Sequence, residues 1–131
     1  MVIVDTTVWI DYLSGCLTPQ TEWLDQEVEH QRLALTDLNL CEVLQGIREE
    51  QKFIRVKQWL LDFEIFSTGR VDLAIIAAQN YRRLRSKGYT LRKTIDCLIA
   101  TYCLENGHAL LHNDSDFEPF EKELGLQVIH P

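Results

Sequence analysis

A chain of 131 residues and 15.3 kDa can enclose one core of ordinary size and is too short for two typical domains. With 46% apolar and 25% charged residues its composition is globular, which excludes a disordered or fibrous chain, and its longest apolar run, Leu73 to Ala78, falls far below the roughly 18 to 20 residues that cross a bilayer. The formal charge of −7, from 13 Lys and Arg against 20 Asp and Glu, argues against coating nucleic acid by bulk attraction, yet ten of those basic residues are concentrated at 48–57 and 82–93. The first residues, Met1-Val2-Ile3-Val4-Asp5, lack the basic start of a secretory signal. Cys16, Cys41, Cys97 and Cys103 form no C-x-x-C pair, and His30, His108, His112 and His130 no zinc-binding spacing. These features predict a cytoplasmic protein with free thiols, in which any metal is held by oxygen.

In chain order the pattern alternates strands with helices. Val2–Val4 reads as a strand ending in Asp5, followed by a helix with Trp9 and Leu13 that closes at Ser14-Gly15. Thr18-Pro19 has the chemistry of a second helix start, with Leu24 and Val28 inward, and Leu33–Leu35 reads as the second strand. Asp37 is predicted to cap the next helix, in which Leu40, Val43, Leu44 and Ile47 form the apolar stripe and Glu42 lies off it. A helix from about 49 to 61 turns Phe53, Val56 and Leu60 inward, and Glu64–Phe66 is a third strand. A long helix then runs from Leu73 through Leu84 to Gly88. Thr94 is predicted to cap a further helix with Ile95, Leu98, Ile99 and Tyr102 inward, stopped at Asn106-Gly107. Ala109–Leu111 reads as a fourth strand, 113–116 as its exit loop and Gln127–Ile129 as a last strand. The expected architecture is one α/β domain over residues 1–131, a three-layer α/β/α arrangement around a parallel sheet of four to five strands.

In open parallel sheets the functional crevice lies beyond the carboxyl ends of the strands. Asp5 leaves the first strand at that edge, and Asp114 and Asp116 leave the fourth. Glu42 and Asp96 are expected in the first turns of helices beginning on the same rim. Such carboxylates repel one another unless a cation sits among them, and Mg²⁺ or Mn²⁺ is the hard, oxygen-seeking ion that suits the set. An ion there could lower the pKa of a bound water and screen a phosphodiester during attack, which points to phosphodiester hydrolysis. Each acid also has an ordinary role open to it: Asp5 as a helix cap, Asp96 in a helix dipole, Glu42 as a solvated residue and Asp114-Ser115-Asp116 as an Asx turn.

Three segments, Met1-Val-Ile-Val-Asp5-Thr-Thr7-Val-Trp-Ile-Asp11-Tyr-Leu, Arg92-Lys-Thr-Ile-Asp96-Cys-Leu-Ile-Ala100 and Leu110-Leu-His-Asn-Asp114-Ser-Asp116-Phe117, together with Glu42, resemble the PIN-domain ribonucleases over essentially the whole chain. The likeness is greatest to the VapC toxins of bacterial toxin–antitoxin pairs. It implies a PIN-like fold and a catalytic, metal-binding quartet of Asp5, Glu42, Asp96 and Asp114 around Mg²⁺ or Mn²⁺, with Asp116 as a further ligand at the edge. It also implies a supporting hydroxyl from Thr7, cleavage of single-stranded RNA (often transfer RNA), a homodimer and an antitoxin that covers the pocket. The chain departs from the family pattern at Asn113, where a Thr or Arg is often nearby.

Arg48, Lys52 and Arg55 fall at i, i+4 and i+7, a basic stripe expected on one face of the fourth helix, and Arg92 and Lys93 lie just before Asp96. Both groups are candidates to grip RNA phosphates, the first with pairing to Glu49 and Glu50 as its ordinary alternative. Trp9, Trp23 and Trp59 are expected in packing rather than in base stacking. The competing function is a non-catalytic PIN-like module that binds RNA or protein. A haloacid-dehalogenase-like phosphatase would need an Asp where the chain has Thr7.

Overall fold

The computed structural model describes residues 1–30 and 32–131. Among them, the chain runs β1 (Val2–Val4), α1 (Thr6–Leu13), α2 (Pro19–Glu27), β2 (Leu33–Thr36), α3 (Asp37–Gln45), α4 (Glu50–Leu60), β3 (Glu64–Phe66), α5 (Val71–Ser86), α6 (Thr94–Asn106) and β4 (Ala109–Leu111). A single 3-10 turn at Ser115–Phe117 then leads into α7 (Glu118–Leu124). The strands pair in parallel in the order β3-β2-β1-β4, with Ile3 opposite both Ala34 and Leu110.

Alternation along these short strands builds the three layers, because successive side chains point to opposite faces. Val2, Val4, Leu33, Leu35 and Leu111 pack on one face against Val8 and Trp9 of α1, Leu24 of α2, Val43 of α3 and Val56 and Leu60 of α4. Ile3, Ala34 and Leu110 pack on the other face against Ala77 and Leu84 of α5, Ile99, Ala100 and Cys103 of α6, and Phe120 of α7. The strands are apolar on both faces because both are covered. The tryptophans belong to the first layer. Trp9 is fully buried and donates its indole N–H to the Val4 carbonyl at 2.8 Å, and its ring meets those of Trp59 and Phe63 at 5.5 and 5.1 Å. Trp23 packs against the same cluster.

Several boundaries differ from expectation. Thr36, not Asp37, caps α3: its side chain accepts the Asn39 N–H, while Asn39 Oδ1 accepts the Thr36 N–H. A Thr with a polar partner three residues on is a capping box, which closes more donors than Asp37 could. Asp37 instead accepts the backbone N–H and hydroxyl of Thr68, tying α3 to the loop before α5. Thr94 is the first residue of α6 rather than its cap; Lys93 holds the cap position without a side-chain bond. The buried face of α6 runs through Cys97, Ile99, Ala100, Thr101 and Cys103, while Ile95, Leu98 and Tyr102 are only half-buried. Gln127–Ile129 adds no strand; only a bridge between Leu110 and Val128 forms, flanked by hydrogen bonds from Leu110 N–H to the Gln127 carbonyl and from Ile129 N–H to the Leu110 carbonyl.

Candidate active site

Every acid singled out from the sequence lies near the carboxyl end of the sheet. Asp5 follows β1 directly and is buried. It is the N-cap of α1, its Oδ2 accepting the Thr7 backbone N–H at 3.1 Å and the Thr7 hydroxyl at 2.7 Å. Thr7 Oγ1 in turn accepts the Asn113 N–H at 3.2 Å, so the exits of β1 and β4 are joined through one hydroxyl. The ordinary role of Asp5 as a cap and its place in the cluster are therefore compatible.

Glu42 sits in the second turn of α3, not the first, because the helix already begins at Asp37. Its Oε1 accepts the Thr6 hydroxyl at 2.8 Å. Asp96 occupies the first turn of α6, as expected, and is 6% exposed. Asp114 closes an Asx turn, with Oδ1 accepting the Asp116 N–H at 2.9 Å, and its own N–H donates to His112 Nδ1 at 3.1 Å. That turn sets Asp114 and Asp116 side by side. Asp96, Asp114 and Asp116 each offer a carboxylate oxygen, and the three oxygens lie within 4.8 Å of one another.

The electrostatics are those of crowded like charges. Burial pushes Asp96 up to about 7, reinforced by the charges of Asp5, Asp114 and Glu42 and opposed by Lys93. Burial likewise raises Asp5 to about 6, against the lowering effect of the Thr7 hydrogen bonds and with a further push from Glu42. Asp5 and Glu42 stand outside the tight three-oxygen group but share its field. Asp96 Oδ2 is buried without a hydrogen-bond partner. A buried oxygen without a hydrogen-bond partner among neighbouring carboxylates fits a cation-binding role, and a donor set made only of oxygen fits a hard divalent ion. The nearby positive group is Lys93, whose Nζ lies 3.5 Å from Asp114 Oδ2 and 4.0 Å from Asp96 Oδ2.

A sequence model of the PIN domain matches residues 2–123. The chain belongs to the PIN-domain family. At 27% identity it is similar to VapC ribonuclease Mb1587 of Mycobacterium bovis and to ribonuclease VapC11 of Mycobacterium tuberculosis, over 98% of this chain and 97% of each relative. In fold it matches FitAcB from Neisseria gonorrhoeae (TM-score 0.78, 20% identity, covering 100% of this chain and 98% of that one). It also matches VapBC2 from Rickettsia felis bound to a promoter DNA fragment (TM-score 0.77, 16% identity, 98% of each chain). The three-layer parallel architecture expected from the sequence is thus the PIN fold.

Around these acids the basic residues separate. Lys93 reaches the acids, while Arg92 beside it, likewise exposed, pairs with no carboxylate among the described residues. Arg48 precedes α4 and is not part of a helical stripe; of the three residues expected in that stripe, Lys52 and Arg55 lie on the helix. Among the described residues none of these three pairs with a carboxylate, so the alternative of bridging to Glu49 and Glu50 does not form. Lys52 borders a cleft of about 160 Å³ with Ile10, Leu13, Val43 and Ile47. The sequence reading does not include Thr6, Asn39 or His112 among the site residues, although all three hydrogen-bond to these acids. The Thr36-to-Asn39 spacing marks a capping box and could have identified Asn39 as the partner of the cap, but its reach to Asp5 is visible only in three dimensions.

Proposed function

We propose that this chain, as one PIN-like domain over residues 1–131, is a metal-dependent endoribonuclease that cleaves single-stranded RNA, transfer RNA among its candidate substrates. In this reading Asp5, Glu42, Asp96 and Asp114 hold Mg²⁺ or Mn²⁺ and Asp116 closes the edge of the site. The observation that carries the reading is Asp96 Oδ2, buried without a hydrogen-bond partner beside Asp114 and Asp116, on a carboxyl that burial pushes up to about 7. The bound ion supplies charge neutralisation and Lewis acidity toward water and phosphate. The protein's part is to hold the ligands: Thr7 fixes Asp5 and the β4 exit, the Asx turn fixes Asp114 and Asp116, and one carboxylate accepts the proton of the attacking water. Lys93, with Arg92, Lys52, Arg55 and Arg48 further out, supplies positive charge to an RNA backbone entering an acidic pocket.

The likeness in fold to a toxin–antitoxin complex from Klebsiella pneumoniae, beside the VapC ribonuclease relatives, supports a toxin role with a cognate antitoxin as partner, and a homodimer is the expected state. No helix among the described residues is long and apolar enough to cross a membrane, in keeping with action in the cytoplasm. The test is incubation of antitoxin-free protein with total RNA in Mn²⁺ or EDTA, followed by sequencing of new RNA ends. Discrete ends that require Mn²⁺ and vanish in Asp96→Asn are expected. Binding of RNA without new ends would replace the nuclease with a non-catalytic RNA-binding module.

A further inference from the structure

Asn39 is fully buried, and both ends of its side-chain amide are engaged. Oδ1 accepts the Thr36 N–H at 3.0 Å and the Thr36 hydroxyl at 2.8 Å. Nδ2 donates to Thr6 Oγ1 at 3.0 Å and to Asp5 Oδ1 at 3.4 Å. The amide has one workable orientation, because the Thr36 N–H can only donate and the Asp5 carboxylate, when ionised, can only accept. The Thr6 hydroxyl gives its proton to Glu42 Oε1 and therefore receives the Asn39 N–H as an acceptor. Asp5 is consequently gripped from both sides, by Thr7 at Oδ2 and by Asn39 at Oδ1.

The cap of α3 does not by itself call for an amide. The same molecule closes the equivalent box on α2 with two threonines, Thr18 and Thr21. What threonine could not do from position 39 is accept from the cap at one end and donate toward two acids at the other. From these contacts we propose that Asn39 is a positioning residue of the acidic site, its Nδ2 fixing the Asp5 carboxylate directly and the Glu42 carboxylate through Thr6. The inference rests on the reading of those acids as cation ligands, and it assigns to the start of α3 the task of setting their mutual orientation.

Two variants separate this role from capping. Asn39→Thr keeps a capping side chain of the kind seen on α2 and removes the amide donor. Thr36→Val removes the capping hydroxyl and leaves the backbone N–H of residue 36 on Asn39 Oδ1. Mn²⁺ binding is measured by electron paramagnetic resonance of the free ion, alongside melting in EDTA. Loss of an outer hydrogen bond to a ligand should weaken Mn²⁺ by about tenfold or more in Asn39→Thr, whereas Thr36→Val melts earlier and binds within about twofold of wild type. Wild-type affinity in folded Asn39→Thr, or an equal loss in Thr36→Val, overturns the proposal. Metal-free crystal structures of both variants give a readout that needs no ion: the Asp5 carboxylate should turn away from its wild-type orientation in Asn39→Thr only. If wild type fails to bind Mn²⁺, the nuclease reading falls. Asp5 and Glu42 unmoved in metal-free Asn39→Thr would overturn the positioning role alone.

Discussion

The carboxylate of Asp5 both closes the first turn of α1 and faces the acidic group, so a substitution there changes two things unless the replacement caps equally well. Asparagine does. Asp5→Asn should therefore abolish Mn²⁺-dependent RNA cleavage with near-native melting, whereas Asp5→Ala should lose activity and also about 1 kcal/mol of stability, read from parallel cleavage assays and denaturant melts. The raised pKa values of Asp5, about 6, and Asp96, about 7, carry a pH signature. A folded-state value above the unfolded one means that the protonated acid suits the fold, so this stability is complete below about pH 4 and is lost as pH rises through 6 to 7. In EDTA the melting temperature should fall by several degrees between pH 5 and pH 8, and Asp96→Asn should flatten that fall. Mn²⁺ should restore most of the loss at pH 8. A flat pH profile in EDTA would show that burial and the neighbouring charges do not penalise the ionised forms of these acids.

At the level of elements, Trp9 joins the helix after Asp5 to the strand before it through its indole N–H on the Val4 carbonyl. Trp9→Phe keeps most of the ring packing and orphans that carbonyl, so it should cost about 1 to 2 kcal/mol in urea unfolding. The strands at 2–4, 64–66 and 109–111, and the one at 33–36 to within its last residue, were legible in the sequence because short, largely apolar runs bounded by polar or turn residues have few other uses. Asp5 and Asp114 were legible for a related reason, since each follows such a run onto the rim, and Asp96 because it falls in the first turn of a helix that starts there. The cap of α3 was misread because Asp37 and Thr36 are both good caps, and only the partner at Asn39 decides between them. The Asn39–Thr6–Glu42 chain could not be read at all: it joins residues from two helices through contacts that leave no trace in hydrophobic periodicity. Glu42 was placed on the correct rim but one turn too early, an error of helix boundary rather than of topology.

On the scale of the whole molecule, an overall charge of −7 leaves RNA attraction to local groups. Lys93 is the basic group nearest the acids, so Lys93→Gln should weaken RNA binding, measured with cleavage-dead Asp96→Asn as background, and lower the salt dependence by about one ion. Arg83→Gln, on the exposed surface of α5, should change neither. The bridge between Leu110 and Val128 has a consequence for solubility. It occupies the outer hydrogen-bonding side of the strand that leads to Asp114, which would otherwise present free amides to any extended peptide in reach. A chain shortened after Leu126 should expose that rim and associate with itself, sedimenting faster at high concentration while its freshly diluted monomers still melt cooperatively.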